Sequence, residues 1–403
     1  MDNVTHALAG CLLAAATVTI AERRGVRLPT NFRTVATAVG IITAELPDAD
    51  LIYAGQRLGM GQLGYLLHHR GHTHTVLFAV FGALGVWLAT LALSKQSRTG
   101  AVRNALLVLA LVGTASHLAL DYTNNYGIHP FWPAVKQWYY GDAVFIVEPW
   151  LWIASIPALY LFYHARVGRA LLATLLAIIL VASWSIDLVS SDVAIAFTVA
   201  TVLWFVLTQA STPMHRITFA LGAWLVVELV FMQASARARD LVRNAVGSTY
   251  RDVSLTPSIG NPLCYSGIVV EADGDTYRVT DATVAPFESV RSASRCAGQQ
   301  RGGVSTNTLS TRASTPAIRW SGEWHKPLAD LTRLISTSCE VAAAMEFVRV
   351  PVWQEIKGDS VQIGDARFGA AGAGFASVTA ALHPSQCPRF VPGWIPPRAD
   401  LLH

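Results

Sequence analysis

Residues 68–93 read His68-His69-Arg70-Gly71-His72-Thr73-His74-Thr75, followed by Val76-Leu77-Phe78-Ala79-Val80-Phe81-Gly82-Ala83-Leu84-Gly85-Val86-Trp87-Leu88-Ala89-Thr90-Leu91-Ala92-Leu93. From Thr75 to Leu93 no side chain is charged. A helix needs roughly 20 mostly apolar residues to cross the hydrocarbon core of a membrane. The stretch at 75–93 therefore reads as a membrane span entered through a histidine-rich turn. Working outward, seven more apolar stretches follow the same pattern, at 4–21, 34–53, 104–121, 143–163, 169–186, 193–209 and 215–234.

Composition agrees. Of the 403 residues, 52% are hydrophobic and 14% charged, where a soluble domain carries roughly 25% charged residues. That excludes an ordinary soluble globule and a polar disordered chain. The charge is uneven: residues 1–234 hold 24 Asp, Glu, Lys and Arg, and residues 235–403 hold 32. The reading is an α-helical multi-pass membrane bundle of about eight transmembrane helices over residues 1–236. A small soluble α+β or β-rich domain follows over 237–403. The net charge of +4 gives no case for nucleic acid. Oligomeric state is not legible.

The first stretch has a competing reading as a targeting signal, because Leu8-Ala9-Gly10-Cys11 resembles a lipoprotein cleavage box. A signal peptide has a basic start followed by an apolar run. This start carries Asp2 and no Lys or Arg, and no apolar run precedes Cys11, so a retained membrane helix is the better reading.

Orientation follows from Lys and Arg in short loops, which concentrate on the cytoplasmic side. One set of alternate loops holds Arg23, Arg24, Arg27, Arg33, Lys95, Arg98, Arg103, Arg166, Arg169 and Arg216; the other holds Arg57, Arg70 and Lys136. The richer side is expected in the cytoplasm, which puts the N-terminus and residues 237–403 outside; Arg237, Arg239 and Arg243 count mildly against this. Four of the five cysteines, Cys264, Cys296, Cys339 and Cys387, fall in the soluble half. An even set there fits one or two disulfides in an oxidising compartment, with three pairings open.

Seven of the twelve histidines precede residue 130. Ionisable groups in membrane segments are costly and usually functional. His6 opens the first span. Asp48 and Asp50 lie near the end of the second, His69 and His74 enter the third, and His117 and Asp121 close the fourth. All fall on the outer face of the topology above. His117 and Asp121, four residues apart, share a helix face. Imidazole and carboxylate suit Zn²⁺, and also Mn²⁺ or Fe²⁺. One or two ions would fit this many ligands. Arg70 reads either as a phosphate clamp or as a headgroup-level anchor. Gly71 is expected to allow the turn, and His68 and His72 to neighbour the ligands. His129 sits in an aromatic loop at the membrane interface.

The segments Met1-Asp2-Asn3-Val4-Thr5-His6-Ala7-Leu8, Leu46-Pro47-Asp48-Ala49-Asp50, His69-Arg70-Gly71-His72-Thr73-His74, His117-Leu118-Ala119-Leu120-Asp121 and Asp142-Ala143-Val144-Phe145-Ile146-Val147-Glu148-Pro149-Trp150 occur in a recognisable order. Together they resemble the bacterial family of membrane-bound metal-dependent hydrolases, which includes LexA-regulated inner-membrane proteins. The motifs cover about residues 1–150. A remoter likeness is to zinc-dependent phospholipases C. The resemblance implies a bacterial inner-membrane location, a divalent metal held among His6, Asp48, Asp50, His69, His74, His117 and Asp121, and hydrolysis. Family members commonly have Asp where this chain has Glu148. Asp50 or Glu148 is then the candidate general base, with Asp142 a further candidate for that role or for supporting a ligand, and Arg70 the candidate phosphate ligand. For Asp142 and Glu148 a bonding role at the start of the fifth span is an equal alternative.

In the soluble half, residues 264–281 read as a hairpin turning at Asp273-Gly274-Asp275, 291–316 as a loop, and 327–345 as an amphipathic helix. Residues 347–350, 360–363 and 375–378 read as strands. No catalytic motif occurs there.

Three functions compete. The first is a metal-dependent hydrolase of a lipid-linked phosphoester at the outer face. The second is a metal-ion or solute transporter, which would hold ligands near the midplane in repeated halves. The third is a non-catalytic envelope factor with a structural metal.

Overall fold

The computed structural model describes residues 1–55, 59–296, 309–356 and 358–402. Arg57 of the charge comparison and residues 297–308 of the expected loop lie outside the described residues.

The N-terminal region is helical. Its helices are α1 (Asn3–Arg23), α2 (Phe32–Glu45), the short α3 (Leu51–Ala54) and α4 (Gly61–His68), α5 (Val76–Leu93), α6 (Gly100–Tyr122), α7 (Pro149–Phe162), α8 (Arg166–Ser185), α9 (Ser191–Ala210) and α10 (Pro213–Val246). Six of them, α1, α5, α6, α8, α9 and α10, are long and apolar enough to cross a membrane. Their outward faces are apolar: Phe81 and Leu88 on α5, Leu171 and Val181 on α8, and Val202 and Leu203 on α9 are all exposed. Water would not tolerate such faces; hydrocarbon does.

The expected second and fifth spans are shorter than the sequence pattern suggested. Helices α2 and α7 have 14 residues each. That rises about 21 Å, less than a hydrocarbon core of about 30 Å. Pro47 has no amide to continue the α-helical ladder, and the chain rewinds there into the tighter turn Leu46–Asp50. Before α7, the amides of Ala143 and Val144 are spent on the Thr123 carbonyl, at 2.7 and 3.0 Å, and not on a helical ladder.

Small residues bring the site helices together. A Cβ on Gly10 would lie 2.4 Å from the Gly40 carbonyl oxygen, and one on Gly113 would lie 2.1 Å from Thr43 Oγ1. Glycine is required for α1, α2 and α6 to approach this closely, as in small-residue packing of membrane helices.

Helix α10 is 34 residues long, about 51 Å at the helical rise, and the sheet begins four residues after it. The first sheet contains β1 (Tyr250–Ser258), β2 (Asn261–Asp273), β3 (Thr276–Val284) and β4 (Ile318–Pro327) in that order, all antiparallel. Then come α11 (Leu328–Thr337), α12 (Cys339–Met345) and a second antiparallel sheet of β5 (Pro351–Ile356), β6 (Ser360–Asp365) and β7 (Ser377–Ala381). The hairpin expected at 264–281 is β2–β3, with Gly274 at φ 55° in its turn.

Strand β2 alternates poorly in sequence because both its faces are buried. Val269 packs on Ala234, Ala238 and Val242 of α10. Ile268 and Val270, pointing the other way, join a core with α12, the second sheet and Leu66 and Leu67 of α4. The expected 327–345 helix is broken at Ser338, whose side chain caps α12. Residues 347–350 are a loop and not a strand, because the Arg349 amide bonds to Asp365 Oδ2 at 2.7 Å. The cysteines pair as Cys264–Cys296 and Cys339–Cys387.

A buried ion network joins the two regions. Asp142 accepts from both Nη atoms of Arg349, at 2.7 and 2.8 Å, and from Arg239 Nη2 at 2.5 Å. Arg349 Nε also donates to Asp252 at 2.8 Å. Asp142 is fully buried in this role.

Candidate metal centre

The start of α1, the end of α2, the start of α5 and the end of α6 come together, as the elements bearing the sequence-predicted ligands require. One atom each from Asp48, His74, His117 and Asp121 lies within 4.8 Å of the others, a group able to hold a metal ion. His74 Nε2 is 3.0 Å from Asp121 Oδ2, 3.1 Å from His117 Nε2 and 3.3 Å from Asp48 Oδ1. His117 Nε2 is 3.2 Å from Asp121 Oδ2 and 3.6 Å from Asp48 Oδ1. A tetrahedron with metal–ligand bonds of 2.0–2.1 Å has edges of about 3.3 Å, so five of the six edges have the right length.

The protonation pattern supports a cation. His117 Nδ1 must donate to the Ala44 carbonyl, 2.5 Å away, because a carbonyl only accepts. In neutral His117 this leaves Nε2 as a lone pair aimed at the cluster. His74 Nδ1 faces Thr73 Oγ1 at 3.1 Å and Asp50 Oδ2 at 3.4 Å, which directs its Nε2 inward in the same way. Asp48 Oδ1 and Asp121 Oδ2 are buried and complete no hydrogen bond of good geometry. Buried acceptors are rarely left so. Two carboxylate oxygens and two imidazole lone pairs thus converge where only a positive charge satisfies them. A proton on His74, which precedes α5, answers the same demand as a cation would: burial pulls its pKa down, but hydrogen bonds to Asp121, Asp48 and Asp50 and the Asp121 charge outweigh burial and push it up to about 10.

The other sequence candidates are nearby but differently employed. Asp50 is fully buried. It accepts from His69 Nδ1 at 3.0 Å, the Arg70 amide at 2.9 Å and Thr73 Oγ1 at 2.8 Å. Asp48, Asp50 and His69 form a second group close enough for an ion, but the Asp50 oxygens already have donors. His6 stacks on His117 with ring centroids 3.8 Å apart. Its Nε2 is 3.3 Å from Asp121 Oδ1, and neither ring nitrogen makes a hydrogen bond. The Met1 amino group also contacts Asp121 Oδ1.

Arg70 is 3% exposed. Its Nη2 lies 2.9 Å from Asp121 Oδ1, its Nη1 donates to Asn124 at 2.8 Å, and its guanidinium lies over the Tyr126 ring at 4.9 Å. Arg70 supplies the left-handed residue of the turn, at φ 62°. Gly71 serves close packing instead, since a Cβ there would meet Trp394 at 3.1 Å. His68, His72 and His129 are occupied by the C-terminal tail. His68 Nε2 bonds the Phe390 carbonyl at 2.8 Å, and His72 and His129 pack on Trp394. Glu148 caps α7 through the Trp150 amide at 3.2 Å and also accepts from the Gly260 amide at 3.3 Å, in the C-terminal region.

Sequence reasoning missed Thr73, Asn124 and Tyr126. The last two directly follow the ligand-bearing end of α6 in Asp121-Tyr122-Thr123-Asn124-Asn125-Tyr126. That position was a usable signal, although the residues look like an ordinary polar turn.

Fold and site together define a multi-pass helical membrane protein with a candidate metal-binding cluster at one end of its helices. Residues 1–193 match the family model described as YdjM inner membrane protein. The matched segment contains every residue of the cluster and stops before α10 and the sheets. The match and the apolar helices support a bacterial inner-membrane location. Comparison with curated proteins and with solved structures gives no match.

Proposed function

We propose that the protein is a metal-dependent hydrolase of a lipid-linked phosphoester, working at the outer face of the inner membrane. The observation that carries this is the pair of orphaned buried carboxylate oxygens facing two oriented imidazoles. Asp48, His74, His117 and Asp121 would hold one divalent ion, with zinc the first choice for this donor set. Such an ion supplies Lewis acidity and lowers the pKa of water toward neutrality.

The chain's own residues divide the remaining work. Asp50 orients His69 through Nδ1, and His69 lines the adjoining cavity. This dyad is suited to take a proton from water and return it to the leaving oxygen. Asp50 thus acts through His69, and Arg70 holds the phosphate side. Glu148 is left out, because its carboxylate is bonded to Trp150 and Gly260. Two disulfides in the C-terminal region, together with the loop charges, support placing that region outside the cytoplasm.

A second reading has its own observation. Four protein ligands fill a tetrahedron, as in structural zinc sites, whereas catalytic sites keep a position open. The test is headgroup release from bacterial lipid extracts by the metal-loaded protein in proteoliposomes. The hydrolase reading expects release that His69→Ala and His117→Ala both abolish, with metal lost only from the second. Metal binding without release from any envelope lipid favours the structural reading.

A further inference from the structure

The cavity beside the cluster has a feature that metal binding does not explain. It measures about 440 Å³ and lies between the loops of the helical region and the C-terminal domain. Pockets for small ligands run from about 300 to 1,000 Å³. Three buried donor atoms without partners belong to residues that line it: Arg70 Nε, Asn124 Nδ2 and Tyr126 Oη. Arg70 is 3%, Asn124 3% and Tyr126 8% exposed. An N–H of guanidinium or amide only donates, and a phenol donates readily. Leaving three buried donors unmatched is costly, so the cavity is built for an acceptor. Facing a guanidinium, that acceptor is an anion.

Beside the polar His69, Asn125, Thr256 and Arg367, much of the rest of the wall is apolar and comes from both regions. Phe145 and Ile146 belong to the helical region; Leu255, Phe368 and Phe375 belong to the C-terminal domain. Ile146 and Phe375 are 46% and 42% exposed, an apolar pair among the lining residues that is open to the outside. The C-terminal domain also fixes the loop that carries two of the donors. Thr256 Oγ1 accepts from Asn125 Nδ2 at 2.8 Å, and Arg367 Nη1 donates to the Asn125 carbonyl at 2.6 Å. Arg367 spends Nε and Nη2 on Asp365 and Nη1 on the Asn125 carbonyl, whereas Arg70, although paired with Asp121 through Nη2, keeps Nε without a partner for the ligand.

We infer that this cavity binds an amphiphile whose oxyanion head, a phosphate ester, sits on Arg70, Asn124 and Tyr126, and whose apolar part runs along Phe145, Leu255 and Phe375. The C-terminal domain is then a specificity element: it holds the donor loop and supplies much of the apolar wall. This rests on the hydrolase reading only for the fate of the ligand, not for its binding. The Arg70–Asp121 contact places the head beside the cluster.

The experiment is calorimetric titration of the full chain in nanodiscs with hexyl phosphate, inorganic phosphate, hexanol and hexyltrimethylammonium, with metal content measured on the same samples. Hexyl phosphate is expected to bind at least ten-fold more tightly than each of the other three. Tyr126→Phe removes one donor isosterically. Asn124→Asp removes another while keeping the oxygen that accepts from Arg70 and from the Tyr126 amide. Each is expected to weaken hexyl phosphate by roughly ten-fold or more, the worth of a hydrogen bond to a charged group. Phe375→Ala, at a half-exposed position, is expected to weaken hexyl phosphate and leave inorganic phosphate unchanged.

Full affinity in both donor variants overturns the inference. So does equal binding of hexyl and inorganic phosphate with no effect of Phe375→Ala, which would mark a free-phosphate site, and so does binding of the cationic amphiphile. Hexyl phosphate binding with the expected dependence in a protein that holds no metal keeps this inference and removes the hydrolase reading.

Discussion

Replacing Asp50 by Asn separates the residue that orients the cluster from the residues that form it. The side chain keeps its volume but loses its charge and turns one acceptor oxygen into a donor. In the structure the two oxygens face His69 Nδ1 on one side, and the Arg70 amide with Thr73 Oγ1 on the other. The cheaper rotamer turns the new NH₂ toward His69, whose ring can change tautomer and accept, while the other oxygen keeps its two donors. His74 Nδ1, 3.4 Å from that oxygen, then faces a neutral amide and not a carboxylate. Loss of such an orienting partner typically costs about 10–100-fold in metal affinity, or about 1.4–2.7 kcal/mol. The assay is zinc competition against a chromophoric chelator, with a thermal melt to show that the variant is folded. Unchanged affinity refutes the orienting role. A loss as complete as in His117→Ala refutes it from the other side, by making Asp50 a ligand.

Gly10→Val drives a side chain into the Gly40 backbone and parts α1 from α2; lower metal occupancy and a loss of about 1–3 kcal/mol are expected in melts of the solubilised protein. Asp142→Ala takes from buried Arg349 one of its two carboxylates and from half-buried Arg239 its nearest one, with Asp252 left to both, and is expected to cost about 1–3 kcal/mol, read as faster proteolysis of the C-terminal region. Asp252, in the same network, gives the pH dependence. Burial alone would raise its pKa, but Arg349, Arg398 and Arg239 hold it well below the usual carboxylate range. Its stabilisation is therefore full above about pH 4 and fades as pH falls toward its folded pKa. Melting temperature should fall below pH 4, and less so in Asp252→Asn. Cys387→Ser opens a loop with a sequence separation of 48 and is expected to cost about 4 kcal/mol, checked by melting under non-reducing conditions.

The candidate cluster was legible in the sequence because charge is scarce in residues 1–234. Each His and Asp at the end of an apolar run therefore carried information. Sequence spacing placed His6, Asp48, Asp50, His69, His74, His117 and Asp121 at one end of the bundle. It did not separate His74, whose Nε2 meets Asp121, from His69, whose Nδ1 bonds Asp50, because that depends on the turn at Arg70. The span pattern ran longer than the helices at α2 and α7, where Pro47 and the Thr123 carbonyl redirect a backbone whose side chains are apolar enough to continue. The interface between the regions was illegible: Asp142, Asp252 and Arg349 are far apart in sequence, and nothing around Asp142 pointed to an arginine more than two hundred residues away. The donors Asn124 and Tyr126 became visible only in the structure, where they line a cavity shared with the C-terminal region.

The central claim is that Asp48, His74, His117 and Asp121 hold a divalent ion. The most direct test is metal analysis of the purified protein and of His74→Ala, His117→Ala, Asp121→Ala and His69→Ala variants that melt cooperatively. One equivalent of metal is predicted in the unmodified protein and in His69→Ala, and none in the other three. A protein without metal, or one whose metal survives His117→Ala and Asp121→Ala, contradicts the account.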